Sequence, residues 1–425
     1  MVRRQTGFWF FVAVAAALAA CSTEKSAPFA PDGDAVGQPD AVSGADAILA
    51  EDVSAPPEGV AEDVSAPPTP AAFAQPEGVA VVGDYAFVAN ANYRFDGASI
   101  VFDPGFVTVV RLSDFQVVRQ IPTAHKNPQV VVGLEDRALV LCSGETVWDN
   151  DAGVIRPVSD GSVEVIPVNE AETASAPALV IPLPAGPAGT LIGYPSSLAV
   201  TPDKRFAYAG SGTTAVLFKI DLSSNQVVRG AGNPISLGDP TVQDTLAVEA
   251  GPPGLLFAGS FNRDLVFALD TSSDAPASAP FQQVDAGKTQ DMDGVLDLAY
   301  RAGGTPDLFV LLGLANAVQS LTTVQGAASL QTLGSTGLYP NRIAVWDAEG
   351  VVLVLNSGDN NLRALKIATG QSLDIVAFAP NTNPYDMALA RRSDKDMLYV
   401  TGLLSNALYE VDLAAQKVVR QVPKP

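Results

Sequence analysis

Versions of one stretch, residues 195–230, recur along most of this chain, and a repeat of that size leaves few folds open. Within it Ser197-Leu198-Ala199-Val200 predicts a first strand, followed by Thr201-Pro202-Asp203-Lys204, residues that pre-set a bend. Residues 205–209 predict a second strand, broken at Gly210 and Gly212, since glycine supplies the backbone angles of a tight hairpin. Residues 216–221 alternate in part and predict a third strand, and a turn at 223–225 leads to a fourth that begins Gln226-Val227-Val228-Arg229. The core position Leu198 has equivalents at Val79, Val131, Leu246, Leu298, Ile343 and Met387, spaced by 52, 67, 48, 52, 45 and 44 residues. Proline opens five copies, at Pro76, Pro128, Pro195, Pro340 and Pro384, and Val-Val-Arg recurs at 117–119, 227–229 and 418–420. Four strands per unit at a period of roughly 40–50 residues is the signature of a propeller blade, which buries its faces only by stacking on its neighbours. The expectation is an all-β, seven-bladed β-propeller over residues 75–425, with blades starting near 76, 128, 195, 243, 295, 340 and 384.

The repeat reads Pro-x-x-hydrophobic-Ala-Val, a turn, Tyr/Phe-x-Tyr/Val-Ala-Asn/Gly, then hydrophobic-x-hydrophobic-Asp-Leu. It resembles the YVTN-type repeat of bacterial surface-layer β-propellers. Blades 1, 3, 6 and 7 carry the pattern best, at 85–90, 206–210, 352–356 and 398–402. Blades 2 and 5 depart most; residues 308–313 are apolar but lack the aromatic-valine centre. The resemblance implies a fold and leaves function open, because one fold hosts many chemistries.

The chain before the repeats predicts an address. Arg3 and Arg4 precede a short apolar run, residues 8–20, below the ~20 residues of a membrane span. It ends at Leu18-Ala19-Ala20-Cys21, which resembles a bacterial lipoprotein signal with its lipobox. The resemblance implies removal of residues 1–20, lipidation of Cys21 and attachment to a membrane of the cell envelope. Ser22 rather than an aspartate follows the cysteine, which in the enteric sorting pattern implies the outer membrane. Residues 21–74 are rich in Ala, Pro, Asp, Glu, Ser and Gly, with the block Ala-Glu-Asp-Val-Ser-Ala-Pro-Pro at 50–57 and again at 61–68. Such a composition cannot bury enough apolar surface to offset chain entropy, so a disordered spacer is expected.

Charge and scarce residues exclude several classes. The net charge is −21, and becomes −23 once Arg3 and Arg4 are cleaved. Nucleic acid is therefore no expected partner, since backbone binding needs a basic footprint. Cys142 is the one cysteine beside Cys21, and His125 is the one histidine. Zinc, haem and iron–sulfur sites lack ligands, and no coherent catalytic set is visible. Cys142 reads as an inert core thiol, His125 as a loop residue.

In a propeller the starts of the first strands surround one mouth of the central channel. Here they supply Glu77, Gln129, Ser196, Asp244, Asp297, Asn341, Arg342, Tyr385 and Asp386. This ring could hold a cation or a polar ligand; the plainer alternative, which channel geometry favours, is a wet mouth of solvated side chains. Blades 1 and 2 carry insertions on the same face, with Tyr93 and Arg94 in one and Trp148 and Asp149 in the other. Long loops with aromatics beside charges are where function concentrates, and these aromatics could stack on a sugar or anchor a protein. Asp149 with Asp151, and Asp291 with Asp293, are candidate calcium ligands, although the second cluster lacks the later ligands of a calcium loop. The expected function is a lipid-anchored, non-catalytic binding or scaffold module for a protein or glycan. The alternative is a carboxylate-based hydrolase or lyase at the channel mouth, with calcium as a possible cofactor.

Overall fold

The computed structural model describes residues 71–96, 99–149, 154–186, 192–238, 244–287, 293–323 and 329–423. Cys21, the signal segment, the linker up to residue 70, Asp151 and Asp291 lie outside the described residues, as does the side chain of Trp148. The chain from residue 71 onward is the expected all-β, seven-bladed propeller. Each blade is an antiparallel sheet whose four principal strands pair in chain order. The first strands are Pro76–Val82, Pro128–Gly133, Pro195–Val200, Ala247–Ala250, Val295–Tyr300, Pro340–Trp346 and Pro384–Arg392. Each touches the next around the hub, and Pro384–Arg392 touches Pro76–Val82 to close the circle.

The second strands show why the sequence takes this form. Along Tyr85–Asn90 side chains alternate between faces, as the period of 2 requires. Ala86 and Val88 pack toward blade 7, while Phe87 and Ala89 pack toward blade 2. Both faces are buried, so the strand is apolar at every inner position instead of alternating with polar residues. The same holds in blade 7, where Leu398 and Val400 face blade 6 and Met397 and Tyr399 face blade 1. The core is accordingly seven apolar layers among the described residues, one per blade–blade interface. At the hub the backbones crowd. A Cβ on Gly78 would lie 2.5 Å from the carbonyl oxygen of Gln129 in blade 2.

Two features shape the face that carries the strand 2–3 connections. In blade 1 that connection is a hairpin, Tyr93–Asp96 paired with Ser99–Phe102; in blade 2 it is Thr146–Asp149 paired with Val154–Pro157. The sequence places loops here, and the structure builds ribbons that lean on one another through Ser99–Phe102 and Thr146–Asp149. The second feature is a repeated tie between blades. The residue before each opening proline has a left-handed backbone: Gln75 (φ 47), Asn127 (φ 59), Tyr194 (φ 50), Tyr339 (φ 50) and Asn383 (φ 49). Such a conformation costs a non-glycine residue about 1 kcal/mol. At three of them the previous blade's turn offsets the cost, because the Gln75, Tyr339 and Asn383 amides donate to the side-chain oxygens of Asn406 (2.8 Å), Asn316 (3.2 Å) and Asn360 (2.8 Å).

The ring closes without exchanging strands. Blade 7 takes all four of its strands from the end of the chain, 384–422. Residues 71–75 add no strand; they run across the top of blade 1 from rim to hub. Gln120 donates to the Ala71 carbonyl (2.7 Å), Thr108 to that of Ala72 (2.6 Å), and the Ala74 amide donates to Asn90 (3.0 Å).

Candidate functional site

Three consecutive blades place a charged residue just before the core position of the first strand: Asp297, Arg342 and Asp386. One oxygen of each aspartate accepts a backbone amide from the following blade, Ile343 to Asp297 (2.9 Å) and Val79 to Asp386 (2.9 Å). The other oxygen faces Arg342, whose Nε donates to Asp386 (3.1 Å) and whose Nη1 lies 3.7 Å from Asp297. Burial pushes the Asp297 carboxyl up to about 6, with Arg342 pulling against it. Burial also opposes the Arg342 charge, but Asp386 and Asp297 more than offset it and hold the guanidinium more firmly protonated than usual. The arginine side chain keeps 24% of its exposure, so the triad still meets the channel.

Glu77 stands beside this triad on the first strand of blade 1. It is 6% exposed, and its backbone oxygen accepts from Thr401 (2.9 Å). Its carboxyl hydrogen-bonds to nothing among the described residues, and Arg342 is already taken by two aspartates. Burial therefore dominates: the Glu77 carboxyl is pushed up to about 8, against the pull of Arg342 and with a push from Asp386. It is a neutral acid at pH 7.

Three tyrosines converge on it. Tyr385 comes from the first strand of blade 7, Tyr194 from the left-handed position before blade 3, and Tyr93 from the blade 1 hairpin. Burial raises all three phenols, and the nearby Glu77 carboxyl raises each further. Gln129 donates to the Tyr194 hydroxyl (3.1 Å) and accepts from Ser143 (3.0 Å), so that ring is fixed from blade 2. Tyr93 is wedged edge-on between Phe95 and Phe102, with ring centroids at 5.9 and 6.0 Å. The mouth of the channel thus brings together three phenols, a carboxylic acid without a donor and an ion triad of two aspartates around one arginine.

Other candidates fall elsewhere. Asp244 does not line the mouth; it is 1% exposed and accepts from Ser260 (2.7 Å), the Phe261 amide (2.9 Å) and the Asn262 amide (3.3 Å), closing its own blade's turn. Arg94 points outward and pairs with Asp103 at 3.3 Å. Asp149 accepts from Arg156 across the blade 2 hairpin. Asp293 offers its backbone carbonyl to the Leu314 amide (2.9 Å) at the start of blade 5. Among the described residues no three His, Cys, Asp or Glu side chains are grouped for one metal ion. The acidic ring read from the sequence is therefore not a ring of free carboxylates, because amide donors and Arg342 take up most of them.

Two residues outside the sequence-based set matter. Tyr194 was concealed because it precedes the strand rather than lying in it. Glu164 is fully buried in blade 2 and accepts the Ala124 and His125 amides (both 3.0 Å) and the Ser162 hydroxyl (2.9 Å). It secures the loop that carries His125, much as Asn90 holds the Ala74 amide in blade 1. A glutamate inside the apolar run Val163–Ile166 was the available signal. Cys142 lies against it, buried, its thiol pushed well up by burial.

No family model matches the chain, and no curated protein matches it. Among solved structures, it is similar to Kuenenia stuttgartiensis hydrazine synthase, with a TM-score of 0.54 and 14% identity over 84% of this chain and 100% of that one. It is also similar to a streptogramin B lyase, with a TM-score of 0.54 and 7% identity over 79% of this chain and 93% of the other. At such identities the likeness is one of fold, the β-propeller.

Proposed function

We propose that this chain is a lipid-anchored β-propeller of the bacterial cell envelope, in the manner of the YVTN-type propellers, that binds a ligand at its channel mouth without transforming it. Lipidation at Cys21 attaches it to the membrane, in the outer membrane by the Ser22 rule, and residues 22–74 serve as the spacer. The observation that carries the binding site is Glu77, a largely buried acid without a hydrogen-bond donor among the described residues, close to the phenols of Tyr93, Tyr194 and Tyr385. Native structures pair their buried polar groups, and an exception inside a concave site points to a ligand. The partner is a protein side chain or a glycan rather than nucleic acid, given the acidic balance of the chain.

A lyase or hydrolase is the second reading, because a carboxyl that titrates near 8 suits general acid–base work. The calcium version of that reading draws less from the geometry, since Asp297 and Asp386 already share a guanidinium. The test is thermal unfolding of residues 22–425 against a panel of glycans, amines and amino acids, with wild type and Tyr385→Leu. A compound that raises Tm in wild type alone supports the mouth as a binding site. A panel without effect, or an effect indifferent to Tyr385, overturns it. Consumption of the bound compound, abolished by Glu77→Gln, replaces the binding module with an enzyme.

A further inference from the structure

We infer that the ligand taken at the channel mouth is an organic ammonium ion, with Glu77 as its counter-ion and the rings of Tyr93, Tyr194 and Tyr385 as its walls. This rests on the mouth being the binding site and names the chemistry that site fits.

Four observations lead there. Glu77 is 6% exposed, and its carboxyl, which still reaches the channel, has no hydrogen-bond donor among the described residues. A buried acid in that condition is completed by a cation that arrives from outside. The protein's own nearby cation is unavailable, since Arg342 is held by Asp386 at 3.1 Å and Asp297 at 3.7 Å. The Glu77 charge acts on three nearby phenols, Tyr93, Tyr194 and Tyr385, and phenol rings attract ammonium groups and offer little to a hard metal ion. Calcium asks for six to eight oxygens, and this recess offers one carboxyl that is not already shared. Finally, a net charge of −21 over the chain concentrates cations around it and disfavours anions.

The ionic balance is simple. In the empty site Glu77 carries its proton. When the ammonium ion enters, that proton leaves to solvent, and a carboxylate–ammonium pair replaces the neutral acid. No bond of the ligand breaks. Among the described residues, the charged or titratable groups that act on Glu77 or feel its charge are Arg342 and Asp386 on the first strands of blades 6 and 7, Tyr385 on blade 7, Tyr93 on the hairpin and Tyr194 before blade 3, with Asp297 of blade 5 behind Arg342. The tyrosines stay neutral throughout, and Asp297, at about 6, is ionised above pH 7. Glu77, at about 8, is the group that titrates between pH 7 and 9. Proton and ligand compete, so affinity rises close to tenfold per pH unit below 8 and levels off above it.

The experiment is isothermal titration of residues 22–425 with choline, n-butylamine and chitotriose at pH 6.5, 7.5 and 9.0, in two buffers of different ionisation enthalpy. Choline or n-butylamine should bind, several-fold tighter at pH 7.5 than at 6.5, with most of one proton released per site at pH 6.5. Glu77→Gln should weaken that binding at least thirtyfold and erase its pH dependence. Tyr385→Leu should weaken it at least fivefold, while Tyr385→Phe keeps most of it. Glu77→Gln removes a buried acid and so folds, which a Tm no lower than wild type at pH 7.5 verifies. Chitotriose binding that Tyr385→Leu abolishes, with both amines inert, keeps the mouth as the site and overturns the ammonium class. Three inert probes, or amine binding indifferent to both substitutions, overturn the ammonium inference; loss of a Tm response across the wider panel is what overturns the mouth itself.

Discussion

Replacing Glu77 with glutamine should make the propeller more stable at neutral pH and less sensitive to alkali. The amide has the shape of the protonated acid and cannot ionise. In the folded chain the Glu77 carboxyl holds its proton to about 8, against an ordinary value of 4.5. The folded state thus binds the proton more tightly, and the stability this confers is whole below 4.5 and lost as pH rises through 8. One pKa unit corresponds to about 1.4 kcal/mol, so the loss approaches about 5 kcal/mol above pH 8 and is about 3 kcal/mol at pH 7. Glu249, on the first strand of blade 4, is half-buried and accepts the Tyr300 amide (3.1 Å), and desolvation likewise pushes its carboxyl up to about 8. Between pH 6.5 and 7.5 the two carboxyls together should cost the wild type about 2.7 kcal/mol per pH unit, the slope of two protons. Glu77→Gln should halve that slope, and Glu77→Gln with Glu249→Gln should remove it. Urea unfolding followed by circular dichroism at fixed pH gives the slopes directly. An unchanged slope in Glu77→Gln would refute the argument that an unpartnered, buried acid sits at the mouth.

Four further outcomes follow from the geometry. Arg342→Met strands Asp297 and Asp386 together and should cost about 3 kcal/mol, at the low end for a buried pair because a quarter of the side chain meets the channel; chemical denaturation measures it. Asn406→Ala and Asn360→Ala each remove the acceptor that holds a left-handed residue of the next blade, and should cost about 1–2 kcal/mol each with faster hydrogen exchange at the Gln75 and Asn383 amides. Gly78→Ala forces a Cβ against the Gln129 carbonyl and should cost about 2 kcal/mol or more in thermal unfolding. Cys21→Ala should move the chain from the membrane fraction to the soluble one; retention in the membrane would remove the lipid anchor from the proposed function.

What the sequence disclosed was the part of the structure that repeats. Proline at each blade opening, Val-Val-Arg in outer strands and apolar residues of both parities in the second strands are periodic, so a single copy calibrates the others. The hairpins of blades 1 and 2 occur once each, and nothing else in the chain indicated that Tyr93 would turn inward while Arg94 turned out. The mouth depended on something a list of residue types does not contain, namely which donors each carboxylate meets. Asp244, Asp297, Asp386 and Glu77 look alike in sequence. In the fold the first is spent on turn amides, the next two on a guanidinium and a neighbouring blade, and the fourth on nothing. Glu164 shows the converse, an acid in an apolar strand whose carboxylate is taken up by the loop amides of Ala124 and His125 and by the Ser162 hydroxyl of its own strand.

The path of residues 71–75 has a mechanical side. A pull transmitted from the chain before Ala71 reaches the propeller at the rim of blade 1 and runs inward toward the hub. The bonds at Gln120, Thr108, Asn90 and Asn406 would then be loaded one after another, as in peeling, and each can fail and re-form without its neighbours. Only when these and the backbone bonds from the Asn92 and Ala91 amides to the Ala74 and Gln75 carbonyls are gone does the load arrive at Pro76–Val82, where the left-handed Gln75 and the rigid ring of Pro76 turn the chain into the hub. Tension is dissipated over a short sacrificial ribbon, and the strand that carries Glu77 is the last to feel it.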